Sequence, residues 1–122
     1  MAQEKTHNDF VAHVVDTMRE LGAVSAKQMF GGWGLYHEGV FFAIIVGDAL
    51  YLKVDDDNRA EFEGAGLPSF VYVTKDGDRM EMSYHAAPPE ALESPAAMGT
   101  WARSGYGAAL RAKTRKPVRK RK

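Results

Sequence analysis

Cysteine is absent from the chain. Its absence excludes disulfide staples, thiolate nucleophiles and cysteine-ligated zinc or iron–sulfur sites. It is also compatible with a reducing, cytoplasmic compartment, the localisation expected here. Long apolar runs are missing as well. The longest, Val40 to Val46, falls far short of the ~20 residues that a membrane-crossing helix needs. The first nine residues are polar and include Glu4 and Asp9, unlike the basic start and apolar stretch of a secretory leader. The last ten residues contain no Asp or Glu.

That last absence exposes a division hidden by a formal net charge of zero. Residues 1–112 carry nine Lys/Arg against sixteen Asp/Glu, a net of −7, and residues 113–122 carry seven Lys/Arg alone, a net of +7. A length of 122 residues suits one domain, and 45% apolar with 26% charged residues is an ordinary globular balance. The expectation is one folded domain over residues 1–112 and a disordered basic tail over 113–122.

Apolar periodicity predicts the elements. Phe10, Val11, Val14, Val15, Met18 and Leu21 share one side of a helix over Thr6 to Leu21. Thr6 with Asp9 resembles a capping box, and Gly22 supplies a stop. A strand-like region follows. Val24 to Met29 is one strand, Gly34 to His37 and Val40 to Val46 form a hairpin around Glu38-Gly39, and Ala49 to Val54 alternates Leu50, Leu52 and Val54 against Tyr51 and Lys53. Val40 to Val46 is apolar on both faces. It requires cover on both sides, or helices on one side and a partner on the other. Asp55-Asp56-Asp57-Asn58 opens a short helix through Glu63. A hairpin over Phe70 to Thr74 and Met80 to Tyr84 turns at Asp76-Gly77, and Glu90 to Glu93 makes one helical turn. Ser94-Pro95 starts a helix to about Lys113, packed through Met98, Trp101, Ala102, Gly105 and Ala109, although its internal glycines oppose it. The fold class is therefore α+β: two layers, helices on a largely antiparallel sheet.

Three segments together form a recognisable series. They are Met29-Phe30-Gly31-Gly32-Trp33-Gly34-Leu35-Tyr36, then Gly39 and the apolar strand, then Leu50-Tyr51-Leu52-Lys53-Val54-Asp55 with Asn58-Arg59. Met82-Ser83-Tyr84, the proline pair Pro88-Pro89 and Trp101-Ala102-Arg103 extend it. Over roughly residues 9–112 the chain resembles the N-terminal domain of the TfoX/Sxy competence-regulator family. The resemblance implies a two-layer fold like that of type III secretion chaperones. It also implies a role in transcriptional control of natural competence, where members act with the cyclic-AMP receptor protein. Full-length regulators carry a second, helical domain; here a short basic tail stands in its place.

Motifs that invite chemistry have structural readings. Gly31-Gly32-Trp33-Gly34 lacks the phosphate-loop pattern and leads into a strand rather than a helix, so a tight connection explains it better. Asp55-Asp56-Asp57-Asn58 fails the calcium-loop pattern, with Arg59 at its fifth position, and reads as helix capping. His7, His13, His37 and His85 show no metal-binding spacing. Ser83 and His85 have neither a nucleophile-elbow motif nor an identifiable oxyanion hole. No catalytic, cofactor or metal residue is assigned.

Two candidates remain. Trp33 and Tyr36 mark a possible interaction surface, with packing on a helix the favoured role for Trp33. Lys113, Arg115, Lys116, Arg119, Lys120, Arg121 and Lys122 suit phosphate contact without base reading, because the tail has no aromatic residue. The expected function is a non-enzymatic regulatory adaptor, monomer or homodimer, that binds a protein partner and touches nucleic acid through the tail. The alternative is a chaperone-like interaction dimer with no nucleic-acid role.

Overall fold

The structure is a computed structural model. It describes the backbone of residues 2–29 and 31–120, and their side chains except those of residues 2–8, Glu81 and residues 115–120.

Helix α1, Ala2–Thr17, runs into a 3-10 turn at Met18–Glu20. It starts earlier than the capping-box reading has it, so Thr6 lies inside the helix. Ala2, Gln3, Glu4 and Lys5 are good helix formers, and propensity carries the helix beyond its apolar stripe. The stripe itself packs as expected. Val11, Val14 and Met18 are buried, with Phe10, Val15 and Leu21 against the same core. Gly22, at φ +134°, turns the chain into the sheet.

Six strands follow: β1 Val24–Met29, β2 Gly32–His37, β3 Val40–Val46, β4 Ala49–Lys53, β5 Ser69–Val73 and β6 Arg79–Ala86. They form one antiparallel sheet in the order β1-β2-β3-β4-β6-β5. Glu38 and Gly39, at φ +51° and +80°, make the two-residue β2–β3 turn, whose twist matches that of the paired strands. Gly32 has a different task. A Cβ there would collide with the Ile45 carbonyl oxygen, so only glycine lets β2 approach β3 this closely.

Helix α2 spans Arg59–Gly64, a 3-10 turn spans Pro89–Glu93, and α3 spans Pro95–Lys120. Ser94 Oγ accepts from the Ala97 N–H, capping α3 with Pro95 in its first turn. The internal glycines do not break α3, because tertiary contact outweighs propensity. Gly105 sits where a Cβ would come 3.1 Å from Leu52 Cβ, so its bare backbone rests on β4. Met98, Ala102, Ala108 and Ala109 complete the buried face, and Trp101 meets Phe62 of α2 edge-on at 4.9 Å. The helices lie on one side of the sheet, where Leu35, Phe42, Ala43, Ile45, Leu50 and Leu52 form the core with α1 and α3.

Helical backbone in α3 continues past the expected end near Lys113, as far as Lys120. Apolar periodicity marks only the part of a helix that packs, whereas Ala, Lys and Arg favour helix on their own. The segment expected to be disordered therefore begins inside α3. Thr114 Oγ1 donates to the Leu110 and Arg111 carbonyls.

Candidate functional site

Strand alternation places a second set of side chains on the face opposite the helices. Tyr36 pairs with Phe41 across β2–β3, Ile44 with Tyr51 across β3–β4, and Lys53 with Tyr84 across β4–β6. A bulge in β3 sends the consecutive residues Phe42 and Ala43 both into the core, fully buried, while Phe41 and Ile44 stay on the other side. Of the cover that the two-sided apolar strand requires, the fold supplies the helices on one side. Helices cover one face of β3, and no described element covers the other.

The rings on this face touch one another. Tyr36 and Phe41 lie 5.2 Å apart, Phe41 and Tyr84 6.1 Å, and Tyr51 and Phe70 5.0 Å between centroids. Two lysines lie over them: Lys27 Nζ is 5.6 Å from the Tyr36 ring centre and Lys53 Nζ 5.2 Å from that of Tyr84. Burial pushes the Tyr84 hydroxyl up to about 12, with Tyr36 adding to the effect. Burial also draws Lys53 below the usual lysine value, opposed by Asp55. Past the end of β4, Phe41, Lys53 and Tyr84 join Ala109, Ala112 and Lys113 of α3 around a groove of about 360 Å³.

At the far edge of the sheet, β5 and β6 leave Tyr72 and Val73 each 55% exposed and Met80 51% exposed. β5 reads Ser-Phe-Val-Tyr-Val, with no charge and no proline.

Trp33 and Tyr36, three residues apart on β2, fall on opposite faces. Trp33 packs against the core on the helix side, and Tyr36 stays half-buried on the open face. Lys113 is exposed and lines the groove. The side chains of Arg115, Lys116, Arg119 and Lys120, and all of Arg121 and Lys122, lie outside the described residues, as does the His7 side chain.

The acidic run was expected to cap α2, but Asn58 makes no side-chain bond to that helix, and the run has a tertiary task instead. Asp55 receives a bidentate pair from Arg111 of α3, Nε to Oδ2 at 2.6 Å and Nη2 to Oδ1 at 3.0 Å, and Asp57 adds a contact at 3.1 Å. That guanidinium holds the Asp55 carboxyl below the usual carboxylate range. Asn58 is buried. Its amide donates to the Lys53 carbonyl and to the carbonyl and hydroxyl of Ser104, while its Oδ1 accepts from the Asp55 N–H. Sequence reasoning missed this clasp because Ser104 lies 46 positions from Asn58. Ser83 and His85 border a small recess with Val54, Arg59 and Met82, but His85 Nδ1 donates to the Leu67 carbonyl at 2.7 Å and braces the approach to β5. His37 bonds the Ala23 carbonyl through Nδ1, and His13 bonds that of Leu92 through Nε2. Both tie elements together. No helix among the described residues is long and apolar enough to cross a membrane.

Residues 16–109 match the TfoX N-terminal domain family. The chain is also 33% identical, over 58 residues, to the DNA transformation protein TfoX1 of Aliivibrio fischeri, a stretch that covers 48% of this chain and 28% of that protein. The match thus spans little more than a quarter of that relative's length.

Proposed function

The chain belongs to the TfoX N-terminal domain family, and from that premise we propose that it is a non-enzymatic adaptor in the regulation of DNA uptake. It docks a protein partner at the β5 edge of its sheet, along Tyr72 and Val73, and makes electrostatic contact with nucleic acid through its basic C-terminal segment. The name of the Aliivibrio relative supports the process, and the charge division supports the second contact.

The single observation behind protein docking is strand β5. Folded proteins commonly guard sheet edges with lysine, proline or a covering element, because unpaired backbone N–H and C=O groups recruit other strands. The opposite edge, β1, follows that practice with Lys27 in mid-strand. β5 has no lysine or proline, no element among the described residues covers it, and Tyr72 and Val73 are half in solvent. An extended segment of a partner can add there as a seventh strand, with backbone pairing supplying affinity and the exposed side chains supplying selectivity.

Affinity capture of the native protein with identification of what it holds tests this reading. Tyr72→Lys and Val73→Lys, at exposed positions that the core does not use, are expected to release the partner without unfolding the domain. Retention of the same partner by both variants would remove β5 from the interaction. A dimer by light scattering that both variants dissociate would assign the edge to a second copy, the chaperone-like reading.

A further inference from the structure

We propose that the open face around β2, β3 and β4 binds single-stranded nucleic acid, with bases on its aromatic rings and phosphates on its lysines. This deepens the electrostatic contact proposed for the basic segment and rests on it for the class of ligand. That segment has cations but no ring on which a base can stack. The structure supplies rings beside the place where the segment begins: Lys113 lines the same groove as Phe41, Lys53 and Tyr84.

Charge on this face selects the occupant. Both charged strand positions identified on it are lysines, Lys27 and Lys53, each held over a tyrosine ring. Asp55, just past β4, is engaged by Arg111. An apolar protein surface seated here would bury two ammonium groups, with Asp55, the carboxylate beside Lys53, already engaged by Arg111, at a cost of several kcal/mol. A nucleic acid strand brings a phosphate for each ammonium and a base for each ring. The strand must be single, because the bases of a duplex are stacked on each other and cannot reach a sheet face. Sequence preference is weak, since every base offers a π-face.

The test uses the full chain with labelled oligothymidylate, oligouridylate and a duplex, each about a dozen nucleotides long. Both single strands, or one of them, should bind more tightly than the duplex; the comparison of the two shows whether the sugar matters. Tyr36→Leu and Phe41→Leu keep apolar bulk and remove the ring. Each should weaken single-strand binding about tenfold or more and leave duplex binding unchanged. Lys53→Gln should weaken single-strand binding and flatten its salt slope by about 0.7. Circular dichroism melting of every variant checks the fold, and Lys53→Gln serves where a ring variant does not fold. Equal affinity for single strand and duplex in the parent, or a preference that survives the ring and lysine variants, overturns the proposal while leaving the basic-segment reading in place. Single-strand preference with no duplex binding supports this face and removes the basic-segment reading. Absence of all binding removes both. A concentration-dependent dimer that Tyr36→Leu dissociates, with no oligonucleotide binding, gives the face to a second copy.

Discussion

Tyr84 shows how one residue links packing to pH. The residue is 8% exposed, and its hydroxyl is pushed up to about 12, against 10 for free tyrosine. Below pH 10 folded and unfolded chains both hold the proton, so the group adds no pH dependence. Between 10 and 12 the unfolded chain releases it while the folded chain keeps it. The unfolded state then binds fewer protons, and stability falls as pH rises. Urea unfolding across that window should show the parent losing up to about 1.4 kcal/mol per pH unit more than Tyr84→Phe. Parallel stability curves for the two would refute the assignment. The Asp55 carboxyl acts with the opposite sign: its lowered value stabilises the fold above the ordinary carboxylate range, and that contribution is lost as pH falls through the folded-state value. Tyr84 was legible only as a strand residue. Its environment comes from Phe41 and Tyr36, more than forty positions earlier in the chain.

At the scale of elements, α3 was located from Ser94-Pro95 and its apolar spacing despite three glycines that counted against it. The structure separates two of those glycines by what they face. Gly105 rests against Leu52 Cβ and the Lys53 backbone nitrogen, neither of which can yield without moving β4. Gly107 faces only Arg111 Nη1, 3.4 Å from where a Cβ would lie, a contact that leaves the Asp55 pair, made through Nε and Nη2, in place. Gly107→Ala should therefore raise stability by about 0.5–1 kcal/mol through helix propensity, while Gly105→Ala should lower it by about 1–3 kcal/mol through overpacking. Thermal melts of the two variants check the contrast, and a shift in the same direction for both would contradict it. Sequence shows that each glycine penalises a helix. It does not show which one the sheet requires. The Asn58 clasp is similar: Asp55 to Asn58 read as a helix start, yet its shortest bond goes to Arg111 of α3 and Asn58 reaches Ser104 of the same helix.

Across the whole molecule the charge division bears on the proposed contact with nucleic acid. Seven cations in the final ten residues follow a body of net −7. Duplex DNA binding by the full chain should weaken with salt along a log–log slope of about −3 to −6, the limit set by seven phosphate contacts. A chain ended after Ala112 should not bind duplex at all, since the remaining body carries a net charge of −7 and its open face cannot reach the stacked bases of a duplex. Equal, salt-insensitive binding by both forms would exclude the basic segment from the interaction.

What the sequence determined by itself is the inventory of elements, the antiparallel α+β class and the split charge. Hydrophobic period, turn residues and net charge are local properties, readable within a dozen neighbours. What only the tertiary structure decided is which face of the two-sided strand β3 remains open and which edge is unguarded. It also decided that Trp33 turns inward while Tyr36, three residues on, joins Phe41 and Tyr84. Those outcomes depend on strand order and on the bulge at Phe42, which arise from contacts between segments far apart in the chain.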